Sequence, residues 1–135
     1  MDEAEARARK RSYERQMADK RSKIAGIDGK IRRLREAYDK IGDAKNEVRS
    51  NVARYRNAAD ACGAWTGSLR DKFNEATDEV GSSRDAYLRR ADECRDAIRD
   101  AITRLENQKA DMNGAIGSLQ HLWNDVVGWL AKQTN

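Results

Sequence analysis

The chain has 135 residues, no proline, 37% charged residues, a single Phe and a formal net charge of +4. Its length bounds it to one domain, and its scarcity of apolar residues excludes a thick globular core. An Ala, Arg, Glu and Lys background without a helix breaker predicts long exposed helices joined along a thin seam.

The chain opens on Met1-Asp2-Glu3-Ala4-Glu5, acidic and without the apolar core of a cleavable secretory signal. No stretch approaches the roughly 20 apolar residues that cross a bilayer. The expectation is a cytoplasmic protein without membrane insertion, or one exported by a route that reads no cleaved peptide. From Arg7 to Arg33 come Arg7, Arg9, Lys10, Arg11, Arg15, Lys20, Arg21, Lys23, Lys30, Arg32 and Arg33, diluted by a few acids. A stretch of this kind reads either as a solvated helix face or as an arm for an anionic partner. The absence of interleaved aromatic residues, on which single-stranded nucleic acids stack, favours the solvated face, so no nucleic acid is expected.

Residues 24 to 62 carry a heptad stripe: Ile24, Ile27, Ile31, Leu34, Tyr38, Ile41, Val48, Val52, Tyr55, Ala59 and Cys62, interrupted by Lys45 alone. Alternating gaps of three and four mark a helix packed on another helix. The same register run backwards meets Met17, Tyr13 and Ala6, but also Lys20, Lys10 and Glu3, which furnish little for burial. Then comes Gly63-Ala64-Trp65-Thr66-Gly67-Ser68. Gly63 suits a left-handed helix cap, Thr66 or Ser68 an N-cap, and Asp71 the positive end of the next helix. A short turn there predicts antiparallel neighbours.

The second stripe runs Leu69, Phe73, Ala76, Val80, Tyr87, Cys94, Ile98, Ala101 and Leu105, then Met112, Ile116, Leu119, Trp123, Val126 and Leu130. The predicted fold is all-α, an elongated antiparallel two-helix hairpin. It is organised as one domain over 1–135: a first arm over 1–62 with a basic extension, a turn over 63–68 and a second arm over 69–131. Folding about the midpoint sets residues whose numbers sum to about 131 side by side, Tyr38 near Glu93 and Ile31 near Asp100. Cys62 and Cys94 then lie roughly 37 Å apart along an arm, too far for a bridge.

Two helices leave large residues wet at the seam's edges. Ile98, Ala101, Ile102 and Leu105 form one broad patch; Leu119, Leu122, Trp123, Val126, Val127, Trp129 and Leu130 form another, facing the charged residues 1–12. Exposed patches of this kind mark binding surfaces. The expected partner-binding residues are Ile98, Ile102, Leu105, Leu119, Leu122, Trp123, Val126, Val127, Trp129 and Leu130, and the hairpin then completes a bundle of three or four helices. The alternative is that Tyr13, Met17 and arginine stems cover the patch within the chain. Gly114, Gly117 and Gly128 weaken this helix and suggest bending or close helix approach.

Nothing points to catalysis, a metal or a cofactor. His121 is the single histidine and has no ligand set around it; Ser82 and Ser83 have no base; Asp92 and Glu93 sit beside Arg89, Arg90 and Arg95 on a helix without a pocket.

Trp65-Thr66-Gly67 between two matched stripes, with Leu69 and Phe73 following, resembles the signature of the WXG-motif (Esx-type) helical-hairpin proteins of type VII secretion. The arms are longer than those of typical members. The usual tag, Tyr-x-x-x-Asp or Glu, is missing, since Tyr87 is followed four residues later by Ala91. Longer tagless relatives are partner proteins of LXG-domain toxins, and the stretch Arg99-Asp100-Ala101-Ile102-Thr103-Arg104-Leu105-Glu106 is similar to that group. The resemblance implies a targeting factor that binds the helical N-terminal region of such a toxin, together with a second small hairpin protein or as a homodimer in isolation. It also implies that Trp65, Gly67, Leu69 and Phe73 shape or present the turn. The rival readings are an intracellular coiled-coil scaffold and a basic nucleic-acid-binding hairpin.

Overall fold

A computed structural model describes residues 1–61 and 68–133, with the side chains at 55, 56, 58–61, 69 and 70 outside the description. Two helices pack as a hairpin: α1 (Glu3–Ala61) and α2 (Ser68–Gln133). Trp65, Gly67, Gly63 and Cys62 lie outside the described residues, as does the side chain of Leu69.

Local chemistry accounts for where the helices start. Asp2 caps α1, its Oδ1 accepting from the Glu5 amide at 2.7 Å while its carbonyl accepts from the Ala6 amide at 3.0 Å. With Glu5 three residues on, this is the Asp-x-x-Glu pattern of a helix start. α2 begins at Ser68, with Asp71 in its first turn and Lys132 in its last, both suited to the helix dipole. Along α1 the pairs Arg7–Glu3, Arg9–Glu5, Lys10–Glu14 and Lys23–Asp19 each span one turn. Such exposed pairs add only a few tenths of a kcal/mol each.

Contacts group the residues into two compact units, Met1–Arg33 with Ala101–Asn135 and Leu34–Asp100. In the first, Ala6, Met17, Ile27, Ile31, Leu119 and Val126 are buried. Ala6 is wholly inaccessible, so the opening residues contribute to the seam more than their charge suggests. In the second, Ala91 is buried and so is Lys45. Lys45, the residue that interrupts the stripe, points into the seam and bonds Asp92 of α2.

The helices are in a different register from that expected of a symmetric turn. In the first unit Glu14 meets Trp123 and Asp28 meets Lys109; in the second Tyr38 meets Arg99 and Lys45 meets Asp92. Each of these pairs sums to 137, not 131. Tyr38 therefore faces Arg95 and Arg99 instead of Glu93, a displacement of six residues or about 9 Å.

Among the described residues no helix is long and apolar enough to cross a membrane.

Candidate docking surface

The residues of α2 that turn toward α1 keep one unbroken heptad alternation: Thr77, Gly81, Arg84, Leu88, Ala91, Arg95 and Ile98, then Ile102, Leu105, Lys109, Met112, Ile116, Leu119, Trp123, Val126 and Leu130. All are buried or half-buried. From Met112 onward this is the stripe expected from sequence. Between Ala76 and Cys94 it is not. Val80 and Tyr87 are 43% and 44% exposed, Ala76 and Cys94 are exposed too, and Thr77, Gly81, Arg84 and Arg95 take the seam positions.

Long cationic side chains can do this because their stems are apolar. Arg95 lies flat over Tyr38 with its guanidinium carbon 3.8 Å from the ring centroid, while Arg99 donates to the Tyr38 hydroxyl at 2.5 Å. Arg95 also reaches the backbone of Gly42, where an added Cβ would stand 2.9 Å from Nη2. Its Nε is buried and makes no hydrogen bond among the described residues. Lys45 is held by Asp92, whose carboxyl is more than half exposed. The Lys45 hydrogen bond holds the Asp92 pKa below its ordinary value against the opposing effect of burial, aided by the charges of Lys45, Arg49 and Arg95.

The two edges flanking the α2 seam differ in chemistry. One edge reads Asp78, Asp85, Asp92, Arg99, Glu106, Asn113, Gln120 and Val127. From it Asp92 and Arg99 reach across to α1, and the neighbouring seam residues Lys109 and Trp123 do the same, to Asp28 at 2.8 Å and Glu14 at 3.0 Å. The other edge, at a strict seven-residue spacing, reads Phe73, Val80, Tyr87, Cys94, Ala101, Gln108, Ala115, Leu122 and Trp129. Only Gln108 is polar. In the unit Leu34–Asp100, Val80, Tyr87 and Cys94 on this edge are exposed, and an open groove runs beside it, lined by Val48, Val52, Ala76, Val80 and Tyr87 among others. In the unit holding Ala101–Asn135, Leu122 is 43% exposed and Trp129 half-buried. A two-stranded seam needs apolar residues only at its two inward positions; a third apolar position per heptad belongs to helices with more than one neighbour.

The ten expected partner-binding residues therefore divide. Ile98, Ile102, Leu105, Leu119, Trp123, Val126 and Leu130 turn toward α1, with Leu119 and Val126 buried. Those seven belong to the chain's own seam. Val127 lies on the polar edge, and Leu122 and Trp129 lie on the apolar one. Val80, Tyr87 and Cys94, expected in the seam, lie on this edge instead; their strict seven-residue spacing, in place of alternating threes and fours, is the signal of an edge. Phe73 heads the same edge and is half-buried. Gly114, Gly117 and Gly128 cause no break in α2, and a Cβ added at any of them meets nothing within 4 Å. The expected bend and the expected close helix approach are therefore both absent at these three glycines.

His121 is exposed, with Nε2 3.7 Å from Asp125 one turn away. Among the described residues no three His, Cys, Asp or Glu side chains gather as a metal site would require.

Fold and surface together define a helical-hairpin protein with apolar positions of α2 left open in each unit. The match to known families is narrower: the model of the YwqH-like family covers residues 8–127, and the chain belongs to that family. No curated protein and no solved structure matches the chain.

Proposed function

We propose that this protein is a non-enzymatic adaptor that binds the helical N-terminal region of an LXG-type toxin and targets it to type VII secretion. The observation that carries the reading is the row of apolar residues on one edge of α2, of which Val80, Tyr87, Cys94 and Leu122 are exposed in the chain alone. Val80, Tyr87 and Leu122 are already more than half covered, so completing their burial under a partner helix contributes about 1 kcal/mol each, and several together hold a complex. The Trp-x-Gly resemblance supplies the toxin and the secretion route. On this reading the adaptor is made in the cytoplasm and keeps the toxin's helices covered until export.

Co-expression with the N-terminal region of an LXG-type toxin tests it. The wild-type chain co-purifies with that region in a defined ratio, and Leu122→Asp with Trp129→Glu abolishes the complex while the helical circular-dichroism signal persists. If the double variant binds as well as wild type, or if the chain instead retards nucleic acid in a salt-sensitive way and binds no toxin, the reading is wrong.

A further inference from the structure

The apolar edge in the unit formed by Met1–Arg33 and Ala101–Asn135 has a basic border. An open groove beside Ala115 is lined by Lys20 of α1 together with Gln108, Asp111, Met112 and Ala115 of α2. Lys23 and Lys30, three and ten residues beyond Lys20, fall on the same side of α1 by helical spacing. Lys23 pairs with Asp19 on its own helix, whereas Lys20 and Lys30 make no ion pair among the described residues. Asp111 is the one acid lining the groove, and it lies on the α2 side. The unit carries fourteen Lys and Arg against nine Asp and Glu, a formal +5, while residues 34–100 carry thirteen against fourteen, a formal −1.

We infer that this groove takes a partner helix whose apolar stripe packs on Ala115, Leu122 and Trp129 and whose edge over α1 carries Glu and Asp facing Lys20, Lys23 and Lys30. A second copy of this chain is the poorer occupant, because it offers only a +5 unit or a nearly neutral one and so brings no acidic excess. The inference rests on the adaptor reading and deepens it by naming the charge pattern of the bound helix. Apolar contact supplies the affinity; the lysine border selects the partner and its direction, as charged flanking positions do in coiled coils.

Two synthetic helices of about four heptads, identical in their Leu stripe and flanked on one edge by Glu or by Lys, test this by fluorescence anisotropy with the full-length chain. The Glu-flanked helix binds about tenfold tighter at low salt, since three exposed pairs contribute modestly and together. The preference shrinks at 1 M salt, where screening acts within about 3 Å. Lys20→Glu with Lys23→Glu and Lys30→Glu reverses the preference, and Lys30→Glu alone, at an exposed position, weakens it without touching the seam. Equal binding of the two helices, lost in Leu122→Asp, overturns the charge inference and leaves the docking edge standing. Binding of neither helix, or binding indifferent to Leu122→Asp, overturns both. Sedimentation showing a homodimer that Leu122→Asp dissociates assigns the groove to a second copy and likewise overturns the proposal.

Discussion

Lys45 of α1 donates to Asp92 of α2 from a buried seam position, forming an ion pair with one end in the core and the other half in water. A single polar residue at an inward heptad position fixes register at some cost in stability. Asp92→Asn is expected to lower the melting temperature at neutral pH, because it leaves a buried ammonium without its carboxylate. Lys45→Met is expected to leave the melting temperature unchanged or raise it, while loosening the register. Cross-linking of Asp28→Cys with Lys109→Cys is expected to be confined to that pair with Lys45 present and to spread to neighbouring cysteine pairs in Lys45→Met.

The same pair gives a pH dependence. The Asp92 carboxyl titrates below its ordinary value of 3.8, so its contribution to stability is present above that pH. It is lost as the pH falls from there through the lowered folded value. Thermal melts from neutral pH down into this acid range should show the wild type losing its advantage over Asp92→Asn. A constant gap between the two would contradict the pair's role.

Glycine substitutions separate open from occupied space. Gly114→Ala and Gly128→Ala, with nothing within 4 Å of the new Cβ, should each stabilise by about 0.5–1 kcal/mol in urea unfolding. Gly42→Ala should gain less, because its Cβ meets the Arg95 guanidinium that rests on Tyr38. The cation–π contact so disturbed is worth about 0.5–1 kcal/mol, comparable with the helix-propensity gain.

Neighbouring leucines distinguish seam from edge. Leu119→Ala removes a buried side chain and should destabilise by about 2 kcal/mol. Leu122→Ala, three residues on and 43% exposed, should cost clearly less, under about 1 kcal/mol. Any partner affinity should respond in the opposite order.

Much of the fold is legible in residues alone. The absence of proline, the two heptad stripes and the seam from Met112 to Leu130 point to the hairpin that α1 and α2 form. The stretch from Ala76 to Cys94 misleads because apolar character is taken for burial. Here Arg84 and Arg95 bring apolar stems to the seam, and Lys45 is accepted there because Asp92 meets it. Register is equally hidden. It rests on pairs distant in sequence, such as Asp28–Lys109 and Lys45–Asp92, which periodicity along either helix does not encode. The apolar edge is half legible: Leu122 and Trp129 stand out as excess apolar residues, whereas Val80, Tyr87 and Cys94 read as core.

Cys94 sits on the apolar edge with its side chain exposed, which makes it a reporter of the surface on which the account depends. In a Cys62→Ser background, the rate at which Cys94 is alkylated can be followed by mass spectrometry with and without the N-terminal helices of an LXG-type toxin, the proposed partner. An Asp85→Cys variant serves as control on the opposite edge. The account predicts that Cys94 becomes protected at least tenfold in the complex, a change of about 1.4 kcal/mol in accessibility, while the control position stays reactive. A complex in which Cys94 reacts as fast as in the free chain would contradict it.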